Sequence, residues 1–355
     1  MVENAPNASR ADIPGDSIPP HPLADLAGGA SADLRVVLAP LSGITDVPFR
    51  SLVRSFGTRL VFSEMVASGE LVRGDRESRL RSAADGAGVH AVQLAGREAE
   101  AMRQAARVVA EDGADLIDIN MGCPAKKVVG GASGSALMRD LDHAERLIEA
   151  TLEGAGGVPV SLKMRLGWDR STMNAPELAR RAERAGIVWV TVHGRTRDQF
   201  YEGEADWQAI RAVKEAVTLP VVANGDLVAR DQHSAILAKS GADAVMIGRG
   251  ACGRPWFPAL VAGTAPADLP RRSFEALVSA HYDAMLKHYG IGPGLRHARK
   301  HLGWYLERAS VSPQARADLL RENSHERVAA GLRTLLSGIT IGDVDPELQP
   351  LRKAA

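Results

Sequence analysis

The sequence contains little cysteine and no excess of charge of either sign. Its two cysteines, Cys123 and Cys252, are too few for a disulfide framework, so we expect a protein of the reducing cytoplasm. Because 43 basic residues balance 43 acidic ones, no overall field draws the chain onto nucleic acid, and any such contact requires a local basic patch. No apolar run approaches the roughly 18 residues that a membrane span needs.

Three further features are missing. No second His or Cys stands at metal-ligand spacing from His193, so no metal site is expected. No G-x-G-x-x-G motif follows the first apolar run, which disfavours a Rossmann fold. Residues 1–33 lack the apolar segment of a secretory signal and are rich in Ala, Pro, Gly and Ser, which predicts a disordered tail.

From residue 35 onward, short apolar runs alternate with helical periods. Runs that are nearly continuous in β-branched residues indicate strands of a parallel sheet that is buried on both faces. The eight runs are 35–39, 59–63, 89–94, 115–120, 159–164, 187–193, 220–224 and 243–248. Eight βα units in about 220 residues predict a (β/α)₈ TIM barrel over residues 34–262, with an open doubly wound sheet as the alternative.

The pattern changes after the barrel. Prolines mark a predicted linker over residues 263–272, and residues 273–345 show only helical periods, which is typical of a C-terminal helical bundle. The predicted helices of this domain are 274–289, 294–308, 315–321 and 324–336. Residues 346–355 are predicted to form a C-terminal tail.

Polar residues or glycines follow each predicted strand at the same end. Active-site groups of TIM barrels lie at the carboxyl ends of the strands, so this distribution predicts a catalytic site at one barrel mouth. The candidates are Pro40, Leu41, Ser42, Gln93, Asn120, Cys123, Lys163, Arg165, His193, Asn224, Gly225, Asp226, Gly248 and Arg249.

The last two strands and the fifth strand point to an anionic ligand. Glycine-bearing loops after strands seven and eight can cradle a phosphate with their N–H groups, and Arg249 adds a positive charge; the alternative is a pair of tight turns. Lys163 and Arg165 lie two residues apart and therefore share one face of their strand. Buried cations need anionic partners, which a reduced flavin supplies, or else Asp118 or Glu64.

The cysteines and the C-terminal histidines are interpreted from their surroundings. Cys123 lies in a Gly-Cys-Pro loop beside Asn120, where a thiol can act as an acid or a nucleophile; the alternative is an inert buried residue. Cys252 is interpreted as structural. His301 and the other histidines of the C-terminal region are expected on the surface.

A local excess of base occurs in the helical region. Between residues 271 and 308, seven Lys or Arg face three acids. Arg296, Arg299 and Lys300 fall at i, i+3 and i+4, on one helical face. This face is predicted to bind RNA phosphates, with an ordinary solvated helix as the alternative.

Several stretches together resemble the tRNA-dihydrouridine synthases. The sequence DINMGCPAKKV surrounds Cys123, and the stretches APLSGITDVPFR, SEMVASG, VQLAG, SLKMRLGW, TVHGRTRDQFYEGEADW, VVANGD and AVMIGRGACGRPW occur in the family's order. RHARKHLGWYL is similar to the helical RNA-binding domain of the bacterial B class. The resemblance covers residues 35–340.

The resemblance implies an FMN-binding barrel, NADPH or NADH as reductant, and tRNA as partner, with a D-loop uridine flipped into the barrel mouth. It assigns FMN contacts to Pro40, Leu41, Ser42, Gln93, Lys163, His193, Asn224, Gly225, Asp226, Gly248 and Arg249. It makes Cys123 the proton donor, and Asn120 and Arg165 the residues that hold the target uracil.

The chain departs from the family pattern in two places. Leu41-Ser42 stands where Met-Ala is commoner, and residues 132–135 read Ala-Ser-Gly-Ser instead of Leu-Ala-Gly-Ser. The second change leaves the geometry of the loop after Cys123 open. Two alternative functions also stay open: a flavin reductase of a free small molecule, and an RNA-binding protein with an inactive barrel.

Overall fold

The chain forms a closed barrel of eight parallel strands. The computed structural model describes residues 35–86 and 88–348, so the predicted tail 1–33 and the last seven residues of the predicted tail 346–355 lie outside the described residues. Neighbouring strands pair in chain order and β1 pairs with β8. The strands are β1 Val36–Leu38, β2 Leu60–Ala67, β3 Ala91–Ala95, β4 Leu116–Met121, β5 Val160–Arg165, β6 Val190–His193, β7 Val221–Asn224 and β8 Ala244–Ile247. The predicted (β/α)₈ barrel is confirmed, and the open sheet is wrong.

Helices surround the barrel, and their ends follow local sequence signals. They are α1 Val47–Arg54, α2 Ser68–Val72, α3 Arg76–Ser82, α4 Ala99–Glu111, α5 Lys126–Gly130, α6 Leu141–Ala155, α7 Ala175–Ala185, α8 Trp207–Lys214, α9 Gln232–Ser240 and α10 Phe257–Ala262. Asp46 caps α1 by accepting the N–H of Phe49 at 3.0 Å, which satisfies one free donor of the first turn. Helix α7 has Pro176 in its first turn and ends at Gly186, whose φ of 108° suits glycine.

The interior of the barrel changes polarity along its axis. Strand side chains alternate between the interior and the surrounding helices, so residues two apart share a face. The lower interior is apolar and includes Val37, Leu60, Phe62, Leu116, Trp189, Val222 and Met246. One step further along the strands, the same face carries Gln93, Asp118, Ser161, Lys163, Thr191 and Asn224. A layer of apolar side chains therefore closes the barrel below a polar mouth.

The C-terminal helices form a second hydrophobic core. They are α11 Phe274–Tyr289, α12 Ile291–Arg308, α13 Pro313–Arg321, α14 His325–Leu335 and α15 Ile341–Val344. Helix α12 begins three residues before its predicted start, because Pro293 is tolerated in a first turn. Gly294 allows α12 to approach α11 closely, since a Cβ at this position would lie 2.8 Å from the backbone of Leu286.

The segments on either side of this helical unit contact the two cores. Leu269, in the predicted linker, is fully buried within the helical core. Glu347, in the predicted tail, lies 3.4 Å from the guanidinium of Arg254 and accepts the N–H of Arg230 at 3.0 Å. The domain boundaries stay predictions.

Two C-terminal histidines are buried, which makes the expectation of surface positions wrong for them. His281 and His301 lie between α11 and α12 and the barrel helix α1, with ring centroids 5.7 and 5.1 Å from that of Phe49. Docking of the helical unit onto α1 covers both imidazoles, and a single helical period does not reveal that contact.

Within residues 35–86 and 88–348, no helix has both the length and the apolar character that a membrane crossing requires.

Candidate active site at the barrel mouth

The Cys123 loop is held by side chains on both of its sides. The side-chain oxygen of Asn120 accepts the N–H groups of Gly122 at 3.1 Å and of Cys123 at 2.9 Å. Ser135 donates its N–H and its hydroxyl to the carbonyl of Cys123, at 3.1 and 2.9 Å. Asn120, predicted to hold uracil, therefore positions the thiol-bearing turn.

The altered stretch 132–135 keeps the residue that this loop geometry needs. Gly134 has a φ of 61°, and a Cβ there would lie 2.8 Å from the carbonyl oxygen of Cys123. Ala132 also adopts a positive φ of 55°, which is unusual for a residue with a side chain. The departure from the family pattern thus falls beside Gly134 and leaves the loop contacts to Cys123 in place.

Arg165 supports the same loop from β5. Its Nε donates to the carbonyl of Gly122 at 2.8 Å, and one Nη donates to the carbonyl of Thr196 at 2.8 Å. Burial lowers the pKa of this guanidinium to about 10, so it remains a cation at neutral pH. Arg165 joins the loops after β4 and β6.

Lys163 faces the mouth without an ion pair to any described residue. Burial and then the charge of Arg165 lower its pKa to about 8, while Asp118 and Cys123 act in the opposite direction. Asp118 instead accepts hydrogen bonds from Gln93 at 2.7 Å and from Ser161 at 2.6 Å. The carboxylate of Glu64 accepts the N–H of Gly43. Among the described residues, neither Asp118 nor Glu64 forms an ion pair with Lys163, so the alternative of a structural pairing is not supported.

A buried chain of hydrogen bonds connects β3, β4 and β5, the last of them through the bond from Ser161 to Asp118. The amide group of Asn120 donates to Gln93 at 2.8 Å, and Gln93 donates to Asp118. Burial raises the pKa of Asp118 to about 6, although both hydrogen bonds lower it. This chain fixes the orientation of Gln93 and Asn120, both predicted site residues.

His193 lies beside a guanidinium that the sequence interpretation did not select. Arg195 binds both carboxylate oxygens of Asp226, at 2.9 and 2.6 Å, and is fully buried. Burial and then the cations Lys163, Arg165 and Arg195 hold the pKa of His193 well below its usual range. His193 is thus a neutral imidazole at physiological pH. Arg195 could have been predicted from the sequence, because it lies two residues after His193 at the end of a predicted strand.

The loops after β7 and β8 present free backbone donors. Among the described residues, no protein acceptor is found for the N–H groups of Asp226, Arg249 and Gly250. Gly225 has a φ of 126°, and a Cβ there would lie 2.6 Å from the side chain of Ala205. Donors without acceptors beside a cation suit a phosphate. This set, together with unpaired Lys163, fits an anionic flavin mononucleotide.

Comparison with known proteins identifies the family. The sequence profile of the dihydrouridine synthases matches residues 37–338. The chain belongs to the dihydrouridine synthase family. It is 57% identical over 301 residues to a probable tRNA-dihydrouridine synthase of Rhizobium leguminosarum, covering 84% of this chain and 94% of the relative. It is 54% identical over 312 residues to one of Rhodobacter capsulatus, covering 86% and 95%.

A third relative bears the name of one class within the family. The tRNA-dihydrouridine synthase B of Pseudomonas syringae is 43% identical over 315 residues, covering 85% of this chain and 91% of the relative. Dihydrouridine synthases are flavin-dependent oxidoreductases that reduce uridine in tRNA to dihydrouridine. The resemblance to this family, and to its B class, is confirmed.

At the barrel mouth, Tyr201 is a second functional candidate that the sequence did not predict. Its ring is half exposed and lies under two guanidinium groups, 5.5 Å from Arg165 and 4.9 Å from Arg249. The electron-rich face of the ring attracts both cations, so Tyr201 connects Arg165 with Arg249 at the mouth. Tyr201 lies on the loop after β6, whose stretch HGRTRDQFY carried part of the family resemblance.

The three cations predicted to bind RNA have different surroundings. Arg296 is exposed and makes no ion pair among the described residues. Arg299 donates to the side chain of Asn323 at 2.9 Å. Lys300 donates to the carbonyl of Gly43, in the barrel loop after β1. RNA contact stays a prediction for all three.

The part of the chain that the structure describes holds no cluster of three or more His, Cys, Asp or Glu arranged for a metal ion.

Proposed function

We propose that this chain reduces D-loop uridines of tRNA to 5,6-dihydrouridine, using FMN at the barrel mouth and NADPH or NADH as reductant. The observation that carries the proposal is the convergence of Cys123, Lys163 and Arg165 with free backbone donors at one end of the barrel. The cytoplasm, expected from the cysteine content, is the proposed location.

The proposed flavin site uses three parts of the mouth. The N–H groups of Asp226 and Gly250, with Arg249, would hold the phosphate, and Gly225 would shape the turn that presents them. Lys163 would face the part of the ring where negative charge accumulates. Pro40, Leu41, Ser42, Gln93, His193, Asn224 and Gly248 complete the set that we assign to the cofactor. When bound, FMN supplies the hydride for C6 of the uracil.

Cys123 is the proposed proton donor. Reduction of the C5–C6 double bond adds a hydride to C6 and a proton to C5, so an acid is needed near C5. The thiol of Cys123 stands on a turn that Asn120 and Ser135 hold rigidly. Protonation of C5 leaves a thiolate, which Lys163 and Arg165 stabilise because both cations lie within electrostatic reach of the sulfur.

The proposed substrate is a base taken out of its stack. A uridine within folded RNA reaches the mouth only when it is flipped outward. The guanidinium of Arg165 has one Nη without an acceptor among the described residues, and this group is the proposed partner of a uracil carbonyl. Asn120 has one amide hydrogen beyond its bond to Gln93 for the same purpose.

Cys123→Ala tests the proposal. The purified variant should stay yellow, with absorbance near that of the wild type around 450 nm, and should leave unmodified tRNA unreduced when NADPH is supplied. The measurement is dihydrouridine by mass spectrometry of digested tRNA, with free uridine as a second substrate. Wild-type enzyme should act on tRNA and hardly on free uridine.

Cys252→Ser is the matched control. Cys252 is the other cysteine, and burial raises the pKa of its thiol to about 11. This variant should keep full dihydrouridine formation. Dihydrouridine at the wild-type rate in Cys123→Ala would refute the role of the thiol. Colourless wild-type protein after addition of FMN would refute the cofactor.

A further inference from the structure

Lys300 belongs to the helical unit but contacts the barrel loop after β1, which contains residues that we assign to FMN. It lies in α12, and its ammonium group donates to the carbonyl oxygen of Gly43 in the loop after β1. Gly43 has a φ of 71°, and a Cβ at this position would lie only 2.7 Å from Nζ of Lys300. The ammonium group of Lys300 therefore has space beside Gly43 only because glycine has no side chain. This lysine, which was predicted to bind RNA phosphate, instead binds the barrel.

The loop after β1 is fixed from both sides at this glycine. The N–H of Gly43 donates to Glu64, a fully buried carboxylate on β2. Lys300 binds the carbonyl of the same residue, so the backbone of Gly43 connects a barrel carboxylate with a cation of the helical unit. The carboxylate of Glu64 strengthens the bond to the N–H of Gly43, and the ammonium group of Lys300 strengthens the bond to its carbonyl, because both hydrogen bonds are charge-assisted.

A second contact between the helical unit and the barrel occurs three residues further along this loop. The hydroxyl of Tyr289, at the end of α11, donates to Asp46 at 3.1 Å. Asp46 uses its other oxygen to cap α1. Together, Lys300 and Tyr289 hold the two ends of the segment between Gly43 and α1.

This segment adjoins the residues assigned to FMN. Leu41 and Ser42 directly precede Gly43, and the side chain of Leu41 lies 3.8 Å from where a Cβ of Gly248 would be. Thr45 binds Leu41 at both its N–H and its carbonyl, so Gly43 lies inside a turn that is closed on Leu41. The conformation of the loop therefore connects the helical unit with the proposed cofactor site.

We propose that Lys300 is a positioning residue for the flavin: it holds the Leu41–Ser42–Gly43 loop in the shape that binds FMN. The helical unit then contributes to cofactor affinity as well as to RNA binding. This inference rests on the proposed placement of FMN at the barrel mouth.

The test compares Lys300→Met with Arg296→Met. Arg296 lies one helical turn earlier on α12 and is exposed, so it provides a cation without the loop contact. We expect Lys300→Met to raise the FMN dissociation constant of apoprotein about tenfold or more, because a charge-assisted hydrogen bond is lost. Arg296→Met should leave that constant unchanged and weaken tRNA binding. Flavin fluorescence and filter binding measure the two affinities.

A purely structural role for Lys300 is separated by two readouts. Lys300→Met also removes the bond to Gly43 from the apoprotein, so its melting temperature should fall, but only by a few degrees, and the variant should stay folded when its FMN affinity is measured. Lys300→Arg retains a charged donor and should restore most of the FMN affinity. If Lys300→Met is insoluble, Tyr289→Phe removes the hydrogen bond to Asp46 at the other end of the segment and should also weaken FMN binding.

An FMN dissociation constant unchanged in Lys300→Met, with tRNA binding weakened as in Arg296→Met, would overturn the inference and make Lys300 an RNA contact. If Tyr289→Phe has to replace Lys300→Met, an unchanged FMN dissociation constant in Tyr289→Phe would overturn the inference. Failure of the wild type itself to bind FMN would instead refute the proposed function.

Discussion

Two buried polar clusters of this chain differ in what surrounds them. At the barrel mouth, Lys163 has no ion-pair partner among the described residues, and His193 lies beside Arg195; both stand near the carboxyl ends of their strands. Between the barrel and the helical unit, His281 and His301 are enclosed by aromatic side chains, with ring centroids 4.8 Å apart. Among the described residues, both ring nitrogens of His301 lack a partner. The comparison teaches that burial and a shifted pKa do not by themselves mark a site; the mouth differs because it is accessible to a ligand.

The largest expected effect separates catalysis from stability at the mouth. Lys163→Met removes a cation that has no protein partner, so dihydrouridine formation should fall about 10²–10³-fold. The melting temperature should hardly change, because an unpaired, partly buried charge is replaced by an apolar side chain. Single-turnover rates with tRNA and thermal unfolding of the apoprotein measure the two effects.

Lys239→Met is the control for that variant. Lys239 is exposed in the last turn of α9, at the opposite end of the strands. Its loss should leave the rate unchanged. If Lys163→Met formed dihydrouridine at the wild-type rate, Lys163 would have no role in the reaction, and the mouth would not differ in function from the enclosed histidine cluster.

The next effect tests the enclosed cluster with a matched pair of variants. His301→Phe removes two unpaired ring nitrogens and should raise the free energy of unfolding by about 1 kcal/mol. His281→Phe leaves the buried hydroxyl of Tyr305 without its partner at 2.9 Å and should lower it by about 1–3 kcal/mol. Denaturant unfolding of the apoprotein measures both. Destabilisation of equal size in the two variants would show that His301 has a partner in solution.

The smallest effect is a pH dependence within the same cluster. Burial lowers the pKa of His281 to about 3 and that of His301 well below its usual range. The unfolded chain takes up these protons below about pH 6.5 and the folded chain does not, so stability present above pH 6.5 is lost as the pH falls. Each histidine contributes at most about 1.4 kcal/mol per pH unit.

His301→Phe should therefore show a shallower loss of stability between pH 6.5 and pH 5 than the wild type. Asp46, whose pKa burial raises to about 6, acts in the opposite direction between about pH 6 and its ordinary value of 3.8. Its contribution cancels when the two proteins are compared. Parallel pH profiles of wild type and variant would contradict the neutral, enclosed state of His301.

The barrel and its mouth were predictable because their signals are local. Eight β-branched runs and the polar residues that follow them specify strands and their functional ends without knowledge of distant contacts. The Lys163–Arg165 pair was placed on one face by strand alternation alone. Arg195 was not predicted, since its bond to Asp226 joins residues 31 positions apart.

Helix α12 shows where local reasoning fails. Its cations follow a clear i, i+3, i+4 pattern, yet Lys300 binds Gly43 across 257 positions of sequence and Arg299 binds Asn323. A helical period reports which side chains share a face and not what that face meets. His301, on the same helix, was misjudged for the same reason.

By itself, the sequence determined the alternation of strands and helices, the end of the barrel that carries polar groups, and the identity of the thiol and cations there. Only the tertiary structure decided which buried polar groups have partners, which face an opening, and which residues of the helical unit contact the loop after β1. The physical reason is that strand and helix periods depend on neighbouring residues, whereas burial and pairing depend on which surfaces dock after the chain has folded.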